Sequence, residues 1–215
     1  MPYRVVPFVN DCYYHVYNRG TEKRQTFLSD RDYRRFLQTL YYYQFKGPKP
    51  RFSTHKKLKI LNLEALPKIV EIISYCLMPN HFHLLLRQLS NGGISEFTSK
   101  VTNSYTKYFN TKQNRVGPLF QGQFKAVLVE TDEHLAHLSR YIHLNPYVSD
   151  LTEDWQHYPY SSYIDFENSN PSNLVKPEII LKMFKGIQEY KKFVQDHADY
   201  AHELERIKHL RLEEE

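Results

Sequence analysis

The sequence predicts an α+β domain: a largely antiparallel sheet of the ferredoxin-like or RRM-like kind with helices packed on it, followed by a helical C-terminal extension. Two observations predict it. Segments of period two and period 3.6 follow one another in the order strand, helix, two strands, helix, strand, helix. Glycine and proline clusters punctuate the boundaries between them, as turns require.

Each element has its own justification. Residues 13–19, YYHVYNR, alternate as a first strand that Gly20 and Thr21 end. Ser29 or Asp30 caps a helix running to about Tyr43, with Phe36, Leu37 and Leu40 at helical spacing. Gly47-Pro48-Lys49-Pro50 breaks that helix. The stretch 46–59 reads as a loop that carries Lys46, Lys49, Arg51, Lys56, Lys57 and Lys59 and no acid, so it either stands in solvent or touches phosphate. Residues 69–87 read as two strands separated by the Met78-Pro79-Asn80 turn signal. After Gly92-Gly93, a helix from Ile94 to about Asn110 puts Phe97, Val101, Tyr105 and Tyr108 on one side. Residues 119–129 form a further strand pattern. Thr131 caps the next helix, with Asp132 and Glu133 well placed in its first turn. That helix should end near Asn145, because Pro146 disfavours helical geometry at the residue before it. Residues 150–177 are loop-rich, and 178–215 read as helix with a charged end.

Composition narrows the function classes. The chain has 215 residues, enough for one domain of generous size or one domain with an appendage. Mean hydropathy is −0.63, and no apolar run approaches the ~20 residues that span a bilayer. The first residues lack the apolar segment of a secretory signal, and Cys12 and Cys76 are too few for a disulfide framework or a four-thiolate zinc site. A reducing, cytoplasmic location is expected, with no membrane partner. A net charge of +5 and 18 tyrosines favour phosphate backbones and unpaired bases as partners.

The chemistry-bearing stretch is Pro79-Asn80-His81-Phe82-His83. On a strand, residues two apart share a face, so His81 and His83 project together. Two imidazoles on one sheet face can hold a divalent cation; the plain alternative is two hydrogen-bonded histidines with no ligand. Cys76, seven residues before His83, points to the opposite face if the strand is continuous, which argues against a thiolate site. Two neutral imidazoles and one oxygen ligand leave positions open for substrate oxygens, which suits Mg²⁺ or Mn²⁺ acting on a phosphate. Of the 18 tyrosines, only Tyr14, Tyr141 and Tyr163 have an Asn, Gln, Asp, Glu or His four residues on. Tyr14 falls in a strand and Tyr163 in a loop, where that spacing aligns nothing. Tyr141 and Asn145 share a helical face.

These motifs, in this order, resemble the single-tyrosine HUH transposases, of the insertion-sequence type and the REP-associated tyrosine transposases. The matching text is HVYNRG at 15–20, YCLMPNHFHLLL at 75–86, NSYTKYFN at 103–110, GPLFQGQFKA at 117–126, RYIHLNP at 140–146 and WQHYPYSSY at 155–163. The resemblance implies that His81, His83 and Asn145 hold Mg²⁺ or Mn²⁺, and that Tyr141 is the nucleophile, leaving a 5′-phosphotyrosine and a free 3′-OH. It implies a substrate of single-stranded DNA, often beside a hairpin, and a monomer or homodimer. The catalytic domain would cover 1–165, and 166–215 would be linker and C-terminal helical extension. His143 lies two residues from Tyr141 and points elsewhere on a helix, so it reads as structural. NSYTKYFN offers a rival tyrosine, Tyr105, but residue 109 is Phe and cannot bind metal. Two other classes stay open. A non-catalytic single-stranded nucleic-acid binder would use the sheet without needing His81, His83, Tyr141 and Asn145 to meet. A zinc hydrolase would use the histidines with a third ligand from elsewhere.

Overall fold

The computed structural model describes residues 7–47, 50–58, 61–168, 172–198 and 202, with the backbone alone for 56–58. Its centre is a four-stranded antiparallel sheet in the order β2-β3-β1-β4, from β1 (Tyr13–Arg19), β2 (Val70–Met78), β3 (His81–Gln88) and β4 (Lys125–Val129). The helix α1 (Asp30–Tyr43) joins β1 to β2, and α3 (Gly93–Lys112) joins β3 to β4; a short α2 (Phe52–Leu58) lies between α1 and β2. This is the ferredoxin-like βαββαβ arrangement.

Both faces of the sheet are covered, which is why β2 and β3 read as nearly continuous apolar runs. On the first face Tyr14, Val16, Phe82, Leu84 and Leu86 meet Phe36, Leu40, Phe97 and Tyr105 from α1 and α3. Each such fully buried side chain stabilises the fold by about 1.5–3 kcal/mol. On the second face Cys76, Met78 and Leu85 meet Leu135, Leu138 and Ile142 of α4 (Asp132–Val148). Behind α4 stand α5 (Tyr163–Glu167), α6 (Glu178–Leu181) and α7 (Ile187–Gln195); the last two give Ile180, Tyr190 and Val194 to this second core.

Several elements depart from the sequence reading. Cys76 does not face away from His83. A two-residue turn separates β2 from β3, and the register sets Cys76 directly across from His83 on the same face. Cys76 is fully buried, and burial holds its thiol far above the ordinary range, so it remains a thiol packed in the core. The basic stretch is not all loop: α2 forms because Phe52 buries against Tyr42, Phe45 and Leu63. The strand pattern at 119–129 is interrupted by Gly122, at φ +57°, so only Lys125–Val129 pairs as a strand while Phe120 bridges to Gly20. The helix α4 passes through Pro146 to Val148. Proline there removes one bond in a last turn where carbonyls are short of partners anyway, and Ser149 and Leu151 bond back to Asn145 and Pro146. Tyr163 opens α5 and is buried, rather than lying in a loop. The C-terminal helix is split between α6 and α7 at Gly186, whose φ of +115° a helix cannot hold.

Candidate active site

The second face of the sheet is where the polar residues converge. The β1–β3 register places Tyr17 opposite His83 and His15 opposite Leu85, so His15, Tyr17, His81 and His83 all project toward α4. Over them, α4 presents Tyr141 and, one turn on, Asn145. Thr131 starts this helix by accepting a hydrogen bond from the His134 backbone N–H. The opposite side of α4 fixes its roll: His143 is fully buried, with Nδ1 2.8 Å from the Tyr190 hydroxyl and Nε2 2.9 Å from the Ser162 hydroxyl.

The rings stand close. His81 and His83 have centroids 5.0 Å apart at 89°, and the Tyr141 ring lies 5.6 Å from His83 and 6.2 Å from His15. His83 and Asn145 are nearly buried, at 6% and 8% exposure, whereas Tyr141 is 48% exposed. The Asn145 carboxamide lies beside the His81 imidazole and works against the burial that lowers its pKa. Burial pushes His81 and His15 down to about 4 and His83 well below its ordinary value. All three are therefore neutral at pH 7, the form that ligates metals.

Neighbours decide which nitrogens are available. The Asn80 amide donates from Nδ2 to the Lys23 carbonyl at 3.2 Å, which turns its Oδ1 toward His81 Nδ1 at 2.6 Å. An amide oxygen only accepts, so His81 carries its proton on Nδ1 and keeps a lone pair on Nε2. His83 Nδ1 is taken by His15 Nε2, 2.9 Å away, leaving His83 Nε2 as the nitrogen that could ligate. Gly20 holds this corner: its N–H bonds the Asn80 carbonyl at 2.7 Å, and any Cβ there would collide with the Arg24 carbonyl.

Among the described residues no group of three or more His, Cys, Asp or Glu could hold a metal ion; the Asn145 amide oxygen could add an oxygen donor to His81 and His83. Two neutral imidazoles and an amide oxygen fit a divalent cation that still has room for phosphate oxygens.

The four residues expected to meet, His81, His83, Tyr141 and Asn145, are brought together. The expected DNA-binding residues are elsewhere. Lys46 and Arg51 are exposed near the ends of α1 and α2, Lys49 and Lys59 lie outside the described residues, and Lys56 and Lys57 are described in backbone alone. The rival Tyr105 is fully buried in the first core, where its hydroxyl donates to the Thr26 carbonyl at 2.6 Å. His15 was not legible as a site residue, because only the β1–β3 register brings it beside His83. Arg19 and Lys125 were missed for the same reason: the register sets them across from His81 and Tyr17, adding two exposed cations to this face.

Residues 51–145 match the model of a family described as "Transposase IS200 like". Among curated proteins no sequence matches. A solved structure of a REP-associated tyrosine transposase bound to a REP hairpin is similar in fold, with a TM-score of 0.53 and 15% identity, over 82% of this chain and 90% of that one. A candidate transposase from Deinococcus radiodurans R1 aligns at a TM-score of 0.36 and 13% identity, over 65% of this chain and 95% of that one, a level that carries no argument.

Proposed function

We propose that the chain, whose residues 51–145 match the IS200-like transposase family, is a tyrosine transposase in which Tyr141 cleaves and rejoins single-stranded DNA in a metal-dependent reaction. One observation carries the reading: an exposed Tyr141 phenol stands over the buried His83 and the half-buried His15, both neutral, with Asn145 beside His81 one turn further on.

When bound by His81, His83 and Asn145, a divalent cation such as Mg²⁺ or Mn²⁺ would draw charge from the non-bridging oxygens of the scissile phosphate. The remaining steps belong to the chain. Tyr141 Oη forms a bond to phosphorus as the bond from phosphorus to the 3′ oxygen breaks. The phenol proton passes to water, which reaches this half-exposed ring, and the departing 3′ oxygen takes up a proton. A free phenol has a pKa near ~10, so deprotonation is the demanding step. One phosphate ester replaces another. Attack by a 3′-OH on the phosphotyrosine therefore reverses the step without a nucleotide cofactor.

The likeness in fold to a hairpin-bound transposase supports DNA beside a hairpin as the substrate; a single-stranded target and a monomer or homodimer as the working form belong to the same proposal. No helix among the described residues is long and apolar enough to cross a membrane, and a cytoplasmic setting belongs to the same reading. So does a catalytic unit over 1–165 followed by a linker and helical extension over 166–215, of which Ile180, Tyr190 and Val194 pack in the core with α4.

The test is incubation with end-labelled single-stranded DNA and Mg²⁺ or Mn²⁺, followed by denaturing electrophoresis. Wild type should give a covalent adduct. Tyr141→Phe should give none, with a loss of at least about 10³-fold, since the nucleophilic atom is gone. Tyr105→Phe should remain active, because that hydroxyl only bonds a backbone carbonyl. Adduct formation by both variants would remove this mechanism.

A further inference from the structure

A chain of hydrogen bonds crosses the core behind α4. Ser139, His143, Ser162 and Tyr190 are all fully buried there. The Tyr190 hydroxyl lies 2.8 Å from His143 Nδ1 and 3.1 Å from the Ser139 hydroxyl. His143 Nε2 lies 2.9 Å from Ser162 Oγ. That oxygen accepts from the Tyr75 backbone N–H at 2.8 Å and donates to the Tyr75 carbonyl at 3.2 Å. Burial pushes His143 down to about 3, so the ring is neutral and has one proton to place. With the Ser162 proton on the Tyr75 carbonyl, His143 donates from Nε2 and accepts from Tyr190 at Nδ1. The Ser139 hydroxyl then shares its proton between the Tyr190 oxygen and the Ala136 carbonyl.

This chain joins α4 to β2, to the segment before α5 and to α7, four parts of the sequence that lie far apart. Its surroundings are apolar rings: Phe166 meets His143 at 4.7 Å between centroids and stacks on Tyr190 at 5.1 Å, and Tyr163 meets His143 at 5.5 Å. Apolar side chains of the same volume would fill this space without the cost of burying polar groups. What the polar groups add is direction. On the sheet side α4 packs through Leu135, Leu138 and Ile142, whose contacts hold the helix down but resist rolling only weakly. A ring bonded at both nitrogens fixes the roll, since every member of a satisfied buried network has one orientation.

Roll matters at this helix more than at any other. His143 stands two residues after Tyr141 and two before Asn145, about 200° around the axis from each. A ring pinned on that side therefore sets where the phenol and the carboxamide point on the other. Cα atoms lie ~2.3 Å from the axis and a phenol reaches well beyond them, so a roll of ~10° moves the Tyr141 oxygen by roughly 1.5 Å. A misplacement of ~1 Å can cost about 10²-fold in rate.

We propose that His143, Ser162 and Tyr190 are positioning residues for Tyr141, setting the roll of α4 that aims the phenol across the sheet histidines. The inference rests on the reading of Tyr141 as the nucleophile. None of the three touches the reacting atoms; each acts through the helix. Tyr190 stands on α7, so the helical extension completes the site instead of merely following the catalytic unit.

The experiment compares wild type, Tyr190→Phe and Ser162→Ala with Tyr105→Phe. Tyr105→Phe also deletes one buried tyrosine hydroxyl, but in the first core, so it is the matched control for lost stability. Tyr190→Phe keeps the ring on Phe166 and is the milder of the two network variants. Two quantities are read: the single-turnover rate of adduct formation on saturating single-stranded DNA with Mn²⁺, and the ¹⁹F resonance of 3-fluorotyrosine placed at position 141. In Tyr190→Phe and Ser162→Ala the rate should fall by about 10- to 100-fold while DNA affinity holds, because phosphate contacts set affinity. The ¹⁹F resonance should move toward that of free 3-fluorotyrosine in both. Tyr105→Phe should keep the wild-type rate and resonance. A folded Tyr190→Phe that matches Tyr105→Phe in both readouts would overturn the inference and leave the network as packing alone. Failure of wild type to form an adduct would count against the nucleophile assignment, whereas the ¹⁹F comparison reads the setting of α4 without any chemistry.

Discussion

His15 shows how much of a site can hide in one side chain. Its Nε2 lies 2.9 Å from His83 Nδ1, and one of the two nitrogens must donate. If His83 offers Nε2 to a metal, its proton sits on Nδ1 and His15 accepts it. The pair then locks the His83 ring in one tautomer and one orientation, as outer-shell partners of metal-bound histidines do. His15→Ala should weaken Mn²⁺ binding by about 10- to 100-fold, measured by calorimetry on the protein without DNA, with near-wild-type melting. His15→Gln, whose amide oxygen can accept the same proton, should recover part of the affinity. Equal Mn²⁺ affinity in wild type and His15→Ala would show that His83 needs no such partner. In the sequence, His15 is one of 11 histidines inside YYHVYNR and carries no spacing signal. Pairing of β1 with β3 is a long-range fact, and a motif such as His-x-His is a local one.

At the scale of an element, α4 does two jobs on two sides. Tyr141 and Asn145 face the sheet histidines, while Ser139 and His143 bond the Tyr190 hydroxyl of α7. The i, i+4 relation of Tyr141 and Asn145 was legible because it is built into helical geometry. The point where α4 ends was not. Pro146 disfavours helix locally, but burial of the last turn at Leu144 and Pro146 and the bonds from Ser149 and Leu151 outweigh that preference. Continuation past Asn145 matters, since it keeps that residue inside the helix and its amide on the line of Tyr141. Asn145→Ala should leave the fold and Tyr141 in place and remove the oxygen donor proposed for the metal. Cleavage should drop by about 10- to 100-fold at low Mn²⁺ and recover in part as Mn²⁺ is raised. Loss that no concentration of Mn²⁺ restores would place Asn145 outside metal binding.

Across the whole molecule, one sheet separates a histidine-lined face from a basic one, and the sequence reveals these two halves unequally. Element order, the tight β2–β3 turn and the His-x-His pair are local patterns, so they were readable. The cleft between α1 and α3 was not, because Arg31 and Lys107, which line it, look like ordinary solvent-facing residues until the two helices are set side by side. The basic stretch 46–59 stands out in the sequence instead, and of its described side chains Arg51, Phe52 and Ser53 line the cleft. The histidine-rich side has a consequence for stability. Burial holds His143 at about 3 and His15 and His81 at about 4, against about 6.5 in an unfolded chain. Between these values the unfolded chain binds protons that the folded chain refuses. Stability is therefore fully present above pH ~6.5 and is lost as the pH falls toward 4, by up to about 1.4 kcal/mol per pH unit for each such group. The buried carboxylate of Asp32 acts in the same direction but at lower pH: its hydrogen bonds to Lys112 and Tyr108 hold it below the ordinary carboxylate value despite burial, which raises it. The window from 6.5 to 4 thus belongs mainly to the histidines. Urea unfolding in EDTA should show the midpoint falling steadily from pH 7 to pH 5. His143→Gln, although less stable at pH 7, should show a shallower fall because one of the refusing groups is gone. A midpoint that stays level across this range in wild type would mean that these imidazoles are reached by protons in the folded state, and that the neutral, ligating form drawn here for the face beneath Tyr141 is wrong.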